Sequence, residues 1–163
     1  MRPAPRPSQT SELRRARFED FAYDAFISFC RDHREDRTWV TGRLVPFLEG
    51  LGLRLCLLHR DMRPGRSRVE QTDLAVAQSR YTVAVFTPEY VGGGYEVFES
   101  SLAAHIQIES RMPRFIPLLR RACPLVLHVR MTEVLDVSRD AEVTVALQRL
   151  ALMLRSAPRP RLG

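Results

Sequence analysis

Tyr23-Asp24-Ala25-Phe26-Ile27-Ser28-Phe29 is a short apolar run that gives way to the charged stretch Arg31-Asp32-His33-Arg34-Glu35-Asp36-Arg37. Its Phe and Ile content predicts a strand over residues 22–28 that ends in a polar loop. Downstream, Val40, Leu44, Phe47, Leu48 and Leu51 recur at three- and four-residue spacing, which predicts a helix over 36–51. Pro46 lies inside that helix and removes one backbone donor, so a kink is expected there, with Gly52 as the stop. Leu53–Leu58 predicts a second strand. Ser67-Arg68-Val69-Glu70 has the spacing of a capping box, and a helix should follow to about Gln78.

The alternation continues along the chain. Tyr81–Phe86 reads as strand three, residues 95–110 as helix three, and Arg114–Leu119 as strand four. Val134–Val137 is a short fifth strand, and Val143, Leu147, Leu150 and Leu154 mark a last helix. Strands that are apolar almost throughout are buried on both faces, which means a parallel sheet between two layers of helices. Five such strands suit a flavodoxin-like three-layer α/β fold with order 2-1-3-4-5. In that order a ligand crevice opens outside the carboxyl ends of strands one and three, so the loops Ser28–Arg37 and Thr87–Gly94 are the candidate walls.

At 163 residues the chain is the size of one domain. Residues 1–17 and 157–163 are rich in Pro and Arg without apolar periodicity and read as disordered leader and tail, leaving 18–156 as the folded unit. No apolar run is long enough to span a bilayer, and the start lacks the apolar core of a secretory signal, so a cytoplasmic protein without membrane contact is expected. The net charge is +6, every basic residue is Arg, and neither Lys nor Asn occurs, as in products of GC-rich genomes. The Arg residues form no dense stripe and no aromatics interleave them, so nucleic acid is not an expected partner. Cys30, Cys56 and Cys123 are odd in number and widely spaced, and the four His have no zinc spacing, so free thiols and no metal are expected. Glycine-rich nucleotide loops, a Walker loop and a serine elbow are all absent from the sequence.

Three pieces in order carry a resemblance: Tyr23–Phe29, the loop Arg60-Asp61-Met62-Arg63-Pro64-Gly65, and Ser79–Tyr90 running on to Tyr95-Glu96-Val97-Phe98-Glu99. Together they resemble the Toll/interleukin-1 receptor (TIR) domain, over about residues 20–155. Arg114–Leu119, Cys123-Pro124-Leu125 and Leu135-Asp136 look most like bacterial members. The resemblance implies one of two activities: cleavage of NAD, or assembly with other TIR domains as a non-catalytic scaffold or adaptor.

For the enzyme, the resemblance makes Glu99 the catalytic carboxylate and Tyr95, four residues earlier on the same helix face, the ring that stacks on nicotinamide. The family usually has Trp where Tyr95 stands, and Gly92-Gly93-Gly94 before it is an unusual loop expected to be flexible. Ser28, Phe29 and Arg31 match nucleotide-contacting positions, although Cys30 stands where plant and animal enzymes commonly carry Arg. The residues by themselves equally allow Glu99 as a solvated helix residue and Arg31 as a surface partner of Asp32 or Glu35. The segment His59–Arg66 resembles the family's BB loop, in which Asp61 would shape the site while Arg60, Arg63, Pro64 and Gly65 meet a neighbouring TIR domain. Implied, then, is a TIR NAD glycohydrolase that releases nicotinamide with ADP-ribose or a cyclic isomer. It would be activated by self-association in immune or anti-phage defence, with NAD as substrate and no cofactor.

Overall fold

The computed structural model describes residues 21–94, 114–125, 127–130 and 133–156. Five parallel strands run β2-β1-β3-β4-β5, the order expected from the sequence. The strands are β1 (Tyr23–Ser28), β2 (Leu55–Cys56), β3 (Ser79–Phe86), β4 (Phe115–Leu119) and β5 (Leu135–Asp136). β1 lies between β2 and β3, with Ala25 opposite Leu55 on one side and Tyr81 on the other.

Side-chain alternation divides the core into two layers. Ala25, Ile27, Val83, Val85, Ile116 and Leu118 face one way, against Val40, Leu44 and Leu48 and against Val143, Leu147, Leu150 and Leu154. Phe26, Ala84 and Phe86 face the other way, against Ala75, Val76, Tyr90 and Val129. The helices covering the first face are α1 (Arg34–Trp39), α2 (Val45–Gly50) and, at the far end of the chain, Val143–Arg155. The second face is covered by α4 (Arg68–Gln78), which follows the single turn α3 (Leu58–Asp61), and by the short α5 (Leu127–Arg130). The helix Val143–Arg155 is α6. It buries residues 143, 147, 150, 151 and 154, one stripe at helical spacing.

Several local outcomes differ from the sequence reading, each for a physical reason. The expected kink at Pro46 takes the form of a π-helical turn, Val40–Leu44, that joins α1 to α2 without breaking the helix. Val45 donates to the carbonyl of Val40, five residues back. The added residue opens the turn where the Pro46 ring would otherwise press on the Gly42 carbonyl. The second strand is only Leu55–Cys56, because the Leu57 amide donates to Asp61 Oδ2 at 2.8 Å and starts α3 instead of a longer ladder. Gly52 stops α2 in the left-handed region, at φ 84°. The capping box at Ser67 and Glu70 forms as expected. Gly92 and Gly93, expected in a flexible loop, lie in a π-helical turn, Tyr90–Gly94. Helix three and both termini fall outside the described residues.

Asp24 anchors the start of the sheet. It is 8% exposed. Its carboxylate accepts from the Arg54 amide at 2.7 Å and from the Arg54 guanidinium at 3.1 Å, with Arg80 at 3.4 Å. Burial pushes this carboxyl up, but the hydrogen bonds from Arg54 and the two guanidinium charges outweigh it and hold it below the ordinary aspartate value. A depressed carboxylate contributes stability that is present above its unfolded value and lost as pH falls through the folded value. Asp24→Asn should therefore lower stability at pH 7 by about 1–3 kcal/mol, the worth of charge-assisted hydrogen bonds, and flatten the acid limb. Urea unfolding between pH 3 and pH 7 would read both effects, and an unchanged acid limb would refute the assignment.

Candidate functional site

The carboxyl end of β1 opens into a cavity of about 220 Å³. Its described walls are Phe26 to Phe29 and Arg31 from β1 and the loop after it, Leu58 and His59 from α3, and Arg66, Arg68, Gln71 and Thr72 from the loop and α4. The structure thus brings Ser28, Phe29 and Arg31 together at one wall. Arg31 is exposed and makes no ion pair among the described residues, neither with Asp32 nor with Glu35. Three guanidinium groups, those of Arg31, Arg66 and Arg68, line this space, and the described walls contain no carboxylate.

The charged loop between the wall residues His59 and Arg66 is held from within. Asp61 is not among the lining residues; its carboxylate accepts from the Leu57 amide and from Arg60 Nε at 3.1 Å. Arg60 also donates to the Leu55 carbonyl at 2.9 Å and pairs with Glu49 at 2.8 Å, which covers the open edge of β2. Gly65 takes φ 100°, a conformation favouring glycine, and Pro64 precedes it as a turn of this kind requires. Gln71 Nε2 donates to the carbonyls of Arg63 and Arg66 at 3.3 and 3.2 Å and ties the loop to α4. Arg63, Pro64 and Gly65 are therefore an exposed tip on a fixed frame. Tyr95 and Glu99 lie outside the described residues.

His59 is a wall residue that the sequence reading left without a role. Its ring meets Phe29 edge-on, with centroids 6.0 Å apart. Burial, and after it the charges of Arg31 and Arg60, hold its imidazole below the ordinary histidine value. Behind the wall, burial pushes the Cys56 thiol up to about 12, which leaves it an inert core group.

A second polar cluster sits on the β3 side of β1, where the sequence pattern places the crevice. Asp36, 2% exposed, accepts from Thr87 Oγ1 at 2.6 Å and from Arg121 Nη2 at 2.7 Å. Arg121 also pairs with Glu89, whose carboxyl that contact holds below the ordinary glutamate value. His33 lies 3.2 Å from Asp36 and 3.4 Å from Glu89. Thr87 Oγ1 in turn accepts from the Tyr90 amide at 3.2 Å, and the Tyr90 hydroxyl is hydrogen-bonded to Ser28 Oγ at 2.8 Å. The loops after β1, β3 and β4 are thereby locked together, and the cavity lined by Ser28, Arg31 and His59 lies toward α3 and α4. His33, Asp36 and Glu89 place ligand atoms within 4.8 Å of one another; the Arg121 guanidinium already supplies positive charge to both carboxylates.

The TIR-domain family model matches residues 25–151. This chain belongs to the TIR-domain family. Mouse Toll-like receptor 12 is 34% identical over 104 residues, which are 61% of this chain and 11% of the receptor. The TIR domain thus spans about a tenth of the length of that curated relative. The TIR domain of the Toll-related receptor TRR-2 from Hydra magnipapillata superposes with a TM-score of 0.70 at 25% identity, covering 83% of this chain and all of that one. The TIR domains of the activated Roq1 resistosome share the fold, with a TM-score of 0.65 at 16% identity over 82% of this chain and 99% of theirs. Among the described residues no helix of this TIR domain is long and apolar enough to cross a membrane.

Proposed function

We propose that this TIR domain is an NAD glycohydrolase activated by self-association. The observation that carries the reading is the cavity at the end of β1: Ser28, Phe29 and Arg31 share it with Arg66 and Arg68, and no carboxylate is among its described walls. Such a lining suits the diphosphate of a dinucleotide, which guanidinium groups recognise by charge-assisted hydrogen bonds. Its volume of about 220 Å³ is below that of pockets enclosing a whole drug-sized ligand. NAD would need further walls, supplied by the segment carrying Tyr95 and Glu99 and by a neighbouring TIR domain.

In this reading the bond between the ribose carbon and the nicotinamide nitrogen breaks. Nicotinamide leaves as a neutral base; water then bonds to the ribose carbon and gives up a proton to solvent, or an adenine ring nitrogen of the same molecule bonds there instead. Glu99 stabilises the cationic ribose and Tyr95 stacks on the departing ring. Arg31 holds phosphate, and Asp61 acts indirectly, by fixing the loop between His59 and Arg66.

The second reading is a scaffold without catalysis. It is favoured by the exposed Arg63-Pro64-Gly65 tip, presented on a frame rigid enough to dock with another TIR domain. Nicotinamide release from NAD decides between them. Purified protein clustered on beads should release nicotinamide, at a rate that climbs more steeply than protein concentration. Absence of release from the clustered protein would leave the scaffold.

A further inference from the structure

We propose that the cavity at the carboxyl end of β1 binds diphosphate-bearing anions together with a proton, which His59 takes up as the ligand enters. The inference rests on the ligand-binding half of the reading above and not on cleavage. His59 is part of the wall, and its ring is braced by the edge of Phe29 at 6.0 Å. Three cations share that wall: Arg31 from the loop after β1, Arg66 from the loop before α4 and Arg68 from α4.

The groups that act on His59 come from every element around it. Arg31 and Arg37 approach from the loop after β1 and from α1, and Arg60 and Asp61 belong to its own turn. Arg60 is paired with Glu49 and Asp61, so part of its charge is already met. Asp61, the one carboxylate that favours a charged imidazole, is engaged by the Leu57 amide and Arg60. Burial disfavours a charged ring here most, and the guanidinium charges of Arg31, Arg60 and Arg37 add to it. Burial and the neighbouring guanidinium groups set the imidazole below the ordinary histidine value, so the ring is neutral at pH 7.

An incoming diphosphate reverses that balance. Its two negative charges offset the field of Arg31, which bears on His59, and attract an imidazolium directly. The His59 pKa must then rise on binding. By linkage, an anion that raises a pKa binds more tightly as pH falls through the bound-state value, and the gain levels off below the free-state value. A rise of about one to three units, the range a close opposite charge produces, would make affinity fall roughly tenfold or more as pH is raised across that window.

ADP-ribose is the suitable probe, because its diphosphate diester keeps a constant charge through this range while inorganic pyrophosphate and ADP titrate themselves. Calorimetry on the intact chain near pH 6.5, in two buffers of different ionisation enthalpy, should register uptake of up to one proton per ADP-ribose. His59→Gln should abolish the uptake and flatten the pH profile of Kd. In the wild type, NMR titration should place the His59 resonance at a higher pKa with ligand than without it. Uptake that persists in His59→Gln, a His59 titration unmoved by ligand, or no ADP-ribose binding at all would each overturn the proposal. Binding with proton uptake in a protein that releases no nicotinamide would sustain it and reject the enzyme reading; cleavage without proton-linked binding would do the reverse.

Discussion

Asp36→Ala is expected to cost about 1–3 kcal/mol of stability, the range for leaving the hydrogen-bond partners of a nearly buried group unsatisfied. The size follows from what would be stranded. Arg121 loses a nearly buried acceptor, and Thr87 Oγ1 loses the carboxylate to which it donates at 2.6 Å. Glu89 can retain Arg121, but only at a partly exposed position, where an ion pair is worth about 0–1 kcal/mol. For a domain of this size a loss of 1 kcal/mol lowers Tm by roughly 2–4 °C, so a fall of about 5 °C is expected. Asp36→Asn keeps the volume and one acceptor and should cost less. Arg121→Met placed on Asp36→Ala should cost less than Arg121→Met alone, because the pair with Asp36 is already lost. Thermal and urea unfolding of the wild type, Asp36→Ala, Arg121→Met and the double variant would form the double-mutant cycle. A loss below about 1 kcal/mol for Asp36→Ala, the worth of an exposed pair, would mean that Asp36 does not hold Arg121 as a buried partner.

The same residue marks where sequence reading stopped. The sheet order was legible because apolar runs such as Tyr81–Phe86 repeat a local pattern, and local patterns survive in one sequence. The capping box at Ser67 and the Pro64-Gly65 turn were legible for a related reason: a hydroxyl at a helix start and a glycine at positive φ each answer a backbone requirement within four residues. Asp36, Thr87 and Arg121 answer to one another across 51 and 85 residues of chain. Asp36 sits in a run of charged residues that reads as a solvated helix start, and nothing local distinguishes the buried aspartate from its exposed neighbours. One signal was present: Asp36 and Thr87 both lie just beyond the ends of the strands that flank the switch point, where polar residues converge.

At the cavity the balance is similar. Ser28, Phe29 and Arg31 were named because the resemblance matches them to nucleotide-contacting positions, and they sit together at the carboxyl end of β1. His59, Arg66 and Arg68 belong to the same wall only because β2 stops after two residues and gives way to α3. The trigger for that early stop is the Asp61 side chain taking the Leu57 amide, a side-chain choice that apolar periodicity cannot register. Over Leu53–Leu58 the sequence therefore predicted a longer strand than the ladder contains.

Glu99→Ala is expected to lower nicotinamide release by at least about 10²–10³-fold, the cost of removing one preorganised group that stabilises transition-state charge. The leaving group in NAD cleavage departs neutral from a cationic ring, so the barrier lies in the positive charge gathering on the ribose. A carboxylate fixed against that ribose meets the charge where it develops, and alanine leaves it to water. Glu99→Gln keeps the shape and the hydrogen bonds to ribose hydroxyls but loses the charge, so it should be nearly as slow as alanine. Glu99→Asp keeps the charge one methylene farther away and should fall between. ADP-ribose binding should survive all three substitutions if Arg31, Arg66 and Arg68 supply the affinity, because those groups act on the diphosphate and Glu99 on the ribose cation. Release by Glu99→Ala within about threefold of the wild type, far short of a lost transition-state contact, would remove Glu99 from the chemistry. Equal losses of binding and release would make it a residue that positions substrate, because only a transition-state contact slows the reaction without weakening the ground-state complex.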